Sequence, residues 1–309
     1  MVCCLSIIPA HAWFIEDIIA IDQSKENNSQ KIVKFFVLKK EIYIEQEKTT
    51  SERKLNDLAF AQKLLNKKII YYTNLSKNKK YMRIAHAWGD YKWFTYTNSL
   101  DALEQNKKYF RYFELDFSWT KDNKLVCIHD WGGSFKKSFW FSLEWKVPTR
   151  KQFMYYVIKN KSYKNCTLDS LVVWLEKNPT VFIITDVKWG NFDAIDEIAR
   201  LYPDQKNRFI PQIHNPNDYK GVKEMWFTKI IWTLYEYQWK KQDILQYAKK
   251  YNFFAITMPK EKVKSWLALE LKTLWERVYA HTVNNFEEFK KLQLLWVDEV
   301  YTDSLTRYE

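Results

Sequence analysis

The side chains best suited to chemistry in this sequence fall at the ends of short β-rich runs. His86 ends YMRIAHA (81–87). Glu114 and Asp116 lie two apart within YFELDFSW (112–119), and His129 and Asp130 end LVCIHD (125–130). Asp186 and Lys188 repeat the two-residue spacing in VFIITDVK (181–188). A strand alternates faces with a period of two, so each of these pairs shares one face. Carboxylates turned into an apolar interior need a partner, and a hard cation is an economical one. Glu114, Asp116 and Asp186 together offer three carboxylates to one divalent cation, and His86 and His129 offer two imidazoles for proton transfer. That inventory suits displacement at a phosphodiester. Taken singly each feature has a plainer reading, since a Glu-x-Asp pair is usually a solvated strand face and an isolated His is usually structural. Their recurrence at successive strand ends carries the reading.

The runs that hold these residues alternate with helical segments. After VFIITDVK come RFIPQI (208–213), KIIWTLY (229–235), FFAITM (253–258), VYAHTV (278–283) and DEVYTD (298–303). Between them lie the helical stretches 168–178, 191–202, 242–251 and 285–295. Strand–helix alternation predicts a parallel sheet, and about eight repeats predict an α/β fold of the TIM-type (β/α)8 barrel class. Nine candidate strands are one too many, so the runs flanking TKDNK (120–124) are expected to form a hairpin. Active sites of such barrels gather at the C-terminal strand ends, where the polar residues stand. Residues 1–80 are expected to form a partly helical extension, with a β-like run at 31–38 and an amphipathic helix at 51–67 behind a Ser51 cap, and residues 81–309 the barrel.

Composition narrows the classes. The 309 residues are 47% apolar, 28% charged and 18% aromatic, which is globular and not disordered. The formal charge of +12 favours anionic partners, among them phosphate esters and the surface of an anionic membrane, although a solvated Lys-rich surface is the plainer reading. No nucleic-acid module is present, so no nucleic-acid partner is expected. Residues 1–20 lack a basic start and contain Glu16 and Asp17, a poor signal peptide and a poor membrane span. A cytoplasmic or membrane-peripheral setting is the expectation. Cys3, Cys4, Cys127 and Cys166 match neither a disulfide framework nor a zinc spacing, and free thiols are expected.

The stretch 84–131, with Ile84-Ala85-His86, Glu114-Leu115-Asp116, Thr120-Lys121-Asp122 and His129-Asp130, resembles the opening of glycerophosphodiester phosphodiesterases. Residues 167–188 resemble that family's next block and 279–303 its closing one, so the resemblance covers 81–303. It implies His86 and His129 as the general acid/base pair, Glu114, Asp116 and Asp186 as metal ligands to Mg²⁺ or Ca²⁺, and Lys188 facing the phosphate. Asn98, in Thr97-Asn98-Ser99, and His281, at a strand end, are the further substrate-side candidates; His214 reads as structural. Two departures stand out: Ala87 replaces the family's phosphate-binding Arg, and Thr97 replaces an acidic residue. The Asp-x-Lys pair at 186–188 looks more like sphingomyelinase D. The implied activity is hydrolysis of a glycerophosphodiester or phospholipid headgroup diester. The alternatives are a sphingomyelinase D-like or phospholipase C-like lipid phosphodiesterase, and a non-catalytic barrel that binds anionic lipid or protein.

Glycine is scarce. An ordinary content of about 7% gives roughly 22 in a chain of this length, and there are 5, beside 15 Trp. Trp88, Trp226, Trp275 and Trp296 stand where the resembling family reads Gly, with Trp93 and Trp189 as weaker cases, whereas Trp119 and Trp131 fit as tryptophan. One reading is that some of these codons are UGA, read as glycine in the source cell; the other is genuine Trp enrichment.

Overall fold

The computed structural model describes residues 83–144, 146–236, 240–263 and 267–306. The predicted elements at 31–38 and 51–67, like Cys3 and Cys4, lie outside them.

The strands are β1 (Ile84–Ala85), β2 (Tyr112–Trp119), β3 (Leu125–Cys127), β4 (Phe182–Val187), β5 (Phe209–Ile213), β6 (Ile231–Thr233), β7 (Ala255–Pro259), β8 (Val278–His281) and β9 (Glu299–Thr302). All but β3 pair in parallel, in the order β1-β9-β8-β7-β6-β5-β4-β2, and β1 also pairs β2, which closes an eight-stranded barrel. The ninth candidate is the hairpin partner: β3 runs antiparallel to β2, with Trp119 opposite Leu125. Helices α1 (Leu100–Asn106), α2 (Gly133–Phe139), α3 (Arg150–Lys159), α4 (Leu168–Lys177), α5 (Asn191–Leu201), α6 (Tyr219–Glu224), α7 (Lys241–Lys250), α8 (Lys260–Val263), α9 (Leu267–Thr273) and α10 (Phe286–Leu294) connect the strands among the described residues. The four helices read from periodicity are α4, α5, α7 and α10, each within one residue at either end. Shorter helices such as α1 and α2 offer too few turns for a periodic signal.

Period-two alternation builds the barrel interior in tiers. Ile84, Tyr112, Ile184, Ile210, Ile231, Ala255, Tyr279 and Tyr301 pack together as an apolar tier. Two residues further along the same strands come His86, Glu114, Gln212, Thr233, Thr257, His281 and Asp303, a polar tier toward the C-terminal ends. A larger apolar layer lies between strands and helices and includes Leu103, Leu115, Leu171, Ile195 and Val300.

The segment between β2 and β4 carries a separate small core of Val126, Ile128, Trp131, Phe135, Phe139, Phe153 and Val157. Here the structure corrects the expectation of free thiols, because Cys127 and Cys166 form a disulfide across 39 residues. The physical reason is tertiary. The Cys127 N–H donates to the Cys166 carbonyl at 2.8 Å, which brings the two Cα atoms to 5.0 Å, a proximity that sequence spacing does not reveal.

No described helix is long and apolar enough to cross a membrane.

Candidate active site

The register of β2 against β4 sets the carboxylates. Asp116 pairs directly with Asp186 across the parallel ladder, and Glu114 lies two residues before Asp116 on the same face. Ligand oxygens of Glu114, Asp116 and Asp186 all fall within 4.8 Å of one another, and all three residues are buried. Burial, and then the charge of Asp116, push the Glu114 carboxyl up to about 8, against the opposing effect of His86. Burial and Asp186 likewise raise Asp116. Asp186 behaves differently. Burial works to raise it, but hydrogen bonding from His214 and the charge of Lys188 hold it below the usual carboxylate range.

Each carboxylate is also held by a protein donor. The Ala87 N–H donates to Glu114 Oε2 at 2.8 Å. Asn98 clamps Asp116 twice: its Nδ2 donates to Asp116 Oδ2 at 3.0 Å, and its Oδ1 accepts from the Asp116 N–H at 3.1 Å. Ser99, the next residue, caps α1 by accepting from the Ala102 N–H, which fixes the segment that carries Asn98. Lys188 Nζ donates to Asp186 Oδ2 at 2.5 Å, and His214 Nε2 lies 3.2 Å from Asp186 Oδ1.

The donor set suits a divalent cation. Oxygens up to 4.8 Å apart fit one ion with metal–oxygen distances of about 2.3–2.6 Å, and carboxylate oxygen is the donor that Mg²⁺ and Ca²⁺ take. Burial and the neighbouring carboxylates favour the neutral forms of Glu114 and Asp116 in this cluster.

The two histidines flank this cluster. His86, in the tight turn after β1, has its Nδ1 2.8 Å from Asp303 Oδ1 and its Nε2 2.9 Å from the Tyr96 hydroxyl and 3.9 Å from Glu114 Oε2. Burial alone would lower it, but Asp303, Glu114 and Asp116 outweigh burial and raise it to about 9. His129 has its Nδ1 2.9 Å from Asp130 Oδ2, and Asp130 is itself held by the Gly132 N–H, the Ser134 N–H and the Ser134 hydroxyl. Tyr96 stands between the histidines, its ring centroid 4.6 Å from that of His86 and 5.8 Å from that of His129.

One cavity of about 730 Å³ brings most of these groups together. His86, Tyr96, Glu114, His129, Asp186, Lys188, His281 and Thr282 line it. His281 accepts from or donates to Thr257 Oγ1 at 3.2 Å, while burial and the neighbouring His86 charge lower it to about 4. Asn98 does not line the cavity; its polar atoms face Asp116. A second cavity of about 680 Å³ adjoins the first and shares His129, Lys188 and Trp189 with it. Phe117, Trp119, Trp131 and Val147 give that cavity an apolar wall.

Three residues at the centre were not singled out from sequence. Asp303 follows β9 two positions after Tyr301, so the strand-end logic applied to the first four runs reaches it too. His214, read as structural, follows β5 in the same alternation as Ile210 and Gln212, and it contacts Asp186. Tyr96 lies in a loop with φ +63, and no periodic pattern marks it.

Comparison with solved structures places the fold. The chain is similar to a glycerophosphodiester phosphodiesterase from Thermotoga maritima, with 17% identity over 72% of this chain and 95% of that one and a TM-score of 0.56. A glycerophosphodiester phosphodiesterase from Parabacteroides distasonis matches at 16% identity over 72% and 92%, TM-score 0.55. A phosphodiesterase from Oleispira antarctica, in complex with the product sn-glycerol-3-phosphate, matches at 16% over 72% and 92%, TM-score 0.55. At these identities the likeness establishes a shared barrel. No protein-family sequence model matches the chain, and no curated protein matches it in sequence.

Proposed function

We propose that residues 81–309 form a metal-dependent phosphodiesterase that hydrolyses a glycerophosphodiester or a related phospholipid headgroup diester, with His86 and His129 exchanging the protons. The observation that carries this reading is the Glu114–Asp116–Asp186 cluster, of which Glu114 and Asp186 line one cavity together with two carboxylate-oriented histidines. The barrel shared with solved phosphodiesterases, one of them holding sn-glycerol-3-phosphate, supports it.

Glu114, Asp116 and Asp186 would hold one Mg²⁺ or Ca²⁺. Such an ion, when bound, neutralises phosphoryl oxygens and lowers the pKa of a hydroxyl nucleophile. The protein's own groups divide the proton work. Asp303 at Nδ1 favours the protonated form of His86, which suits it to protonate the leaving alkoxide. Asp130 holds His129 at Nδ1, which favours the tautomer that presents a basic Nε2 for the attacking water or hydroxyl. Lys188 supplies a point charge to the phosphate. The guanidinium absent at Ala87 leaves Tyr96 and Lys188 as the neighbouring donors.

The apolar second cavity favours a lipid-like variant of the same reading, a sphingomyelinase D-like or phospholipase C-like activity, because a water-soluble glycerol ester has no use for that wall. Hydrolysis of glycerophosphocholine, lysophosphatidylcholine and sphingomyelin in parallel, followed by release of phosphorylated product, tests both. Turnover of glycerophosphocholine alone supports the water-soluble diester, and turnover of either lipid alone supports the lipid variant. No turnover of any of the three with Mg²⁺ or Ca²⁺ counts against the proposal.

A further inference from the structure

Trp88, Trp140, Trp226, Trp275 and Trp296 all adopt left-handed backbone, with φ between +67 and +76. In that region the Cβ of an L-residue crowds its own carbonyl, so glycine is the default occupant and a bulky side chain is an outlier. Trp140 follows α2 directly, and Trp226, Trp275 and Trp296 follow α6, α9 and α10 after one intervening residue. After α9 the Trp275 N–H donates to the Lys272 carbonyl and the Glu276 N–H to the Leu271 carbonyl. After α10 the Trp296 N–H donates to Gln293 and the Val297 N–H to Leu292. These paired bonds define the Schellman helix ending, whose left-handed residue is usually glycine. Trp226 donates to Lys223 after α6, and Trp140 donates to Lys136 as the left-handed cap of α2.

Exposure and burial add to the backbone observation at some of these places. Trp140, Trp226 and Trp275 are 72%, 77% and 74% exposed, so their indoles stand largely in solvent. Trp88 is fully buried, and its Nε1 has no hydrogen-bond partner, a burial that is costly for an indole N–H. Three other tryptophans differ in backbone and in hydrogen bonding. Trp131, Trp174 and Trp232 have φ outside the left-handed region, and their indoles donate to the Trp119 carbonyl, Glu104 and the His214 carbonyl. Trp93 and Trp189, suspected from sequence, also have ordinary φ and drop out.

We infer that positions 88, 140, 226, 275 and 296 are glycine in the protein as its own cell makes it, through UGA codons read there as glycine. Backbone conformation separates the tryptophans into two chemical classes, and one class has the geometry of the residue this chain conspicuously lacks. The helix ends of α2, α6, α9 and α10 are then ordinary glycine caps. Two residues after His86, glycine at 88 removes a buried indole whose N–H has no hydrogen-bond partner.

The codons test this directly: UGA is expected at the five positions and UGG at 119, 131, 174 and 232. Peptides of the protein isolated from its own cell should be lighter at each of the five by the difference between tryptophan and glycine. UGG at the five, or peptide masses that carry tryptophan there, overturns the inference. A conformational readout is independent of the gene. The chain with Trp140→Gly, Trp226→Gly, Trp275→Gly and Trp296→Gly should melt above the tryptophan chain by about 2–4 °C per position. Position 88 is left out because a buried site mixes backbone relief with lost packing. An unchanged or lowered melting point overturns the conformational argument.

Discussion

Cation binding to this site should release a proton, and the size of that effect follows from Glu114. Burial and Asp116 push its carboxyl up to about 8, so at pH 7 roughly a tenth of the metal-free protein has Glu114 ionised. A cation that uses this carboxylate must displace the proton from the remainder. The sign is fixed by the direction of the shift: a raised carboxyl keeps its proton below about 8, so affinity rises with pH up to that value and levels off above it. The association constant for Mg²⁺ or Ca²⁺ should therefore increase about ninefold from pH 6 to 7 and about fivefold from pH 7 to 8, and be roughly ninetyfold greater at pH 9 than at pH 6. Asp116, raised for the same reason, steepens the acid end. An ordinary carboxylate that titrates near 4.5 gives no dependence across that range. Titration calorimetry at pH 6, 7, 8 and 9, repeated in two buffers of different ionisation enthalpy, reads both the constant and the proton count. Glu114→Gln should abolish most of the slope. An affinity that stays within about twofold between pH 6 and 8 refutes the reasoning.

Asp303→Asn keeps an acceptor beside His86 Nδ1 and removes the charge, so the His86 pKa should fall by about 1–2 units from its value near 9. His86 acts protonated in the proposed role, so the alkaline limb of kcat/KM should move down by the same amount; an unmoved limb contradicts that role. Tyr96→Phe removes the hydroxyl 2.9 Å from His86 Nε2 and should raise KM about fivefold, the effect of one neutral hydrogen bond. An unchanged KM dismisses Tyr96 as a phosphate donor. Cys127→Ser with Cys166→Ser opens a loop spanning 39 residues and should cost about 3–4 kcal/mol, which lowers the melting point by roughly 10 °C. Mass spectrometry without reductant reads the presence of the bond.

The barrel was legible because buried parallel strands write themselves as short β-rich runs, and polar residues at their ends break that pattern visibly. Glu114, Asp116 and Asp186 could be read for that reason, as could both histidines. What could not be read depends on contacts between distant segments. Asp303 meets His86 only because β9 closes the barrel beside β1. Asn98 reaches Asp116 from a loop whose course is set by the cap of α1, so its bonds to Asp116 have no local signature. Cys127 and Cys166 meet because β3 pairs with the segment before α4. Trp140 was not singled out in the sequence, and only its φ of +67 groups it with Trp275 and Trp296.

The central claim is that three carboxylates and two histidines cleave a phosphodiester with a divalent cation. Hydrolysis of bis(p-nitrophenyl) phosphate tests it most directly, measured after chelation and after return of Mg²⁺ or Ca²⁺. The chain as written and its form with glycine at 88, 140, 226, 275 and 296 should be measured side by side, each with Asp116→Ala and His86→Ala variants. Activity that vanishes on chelation, returns with the ion, and falls at least about a hundredfold in both variants is the expected result. Activity indifferent to chelation and to both substitutions, or absent from both forms with every ion, contradicts the account.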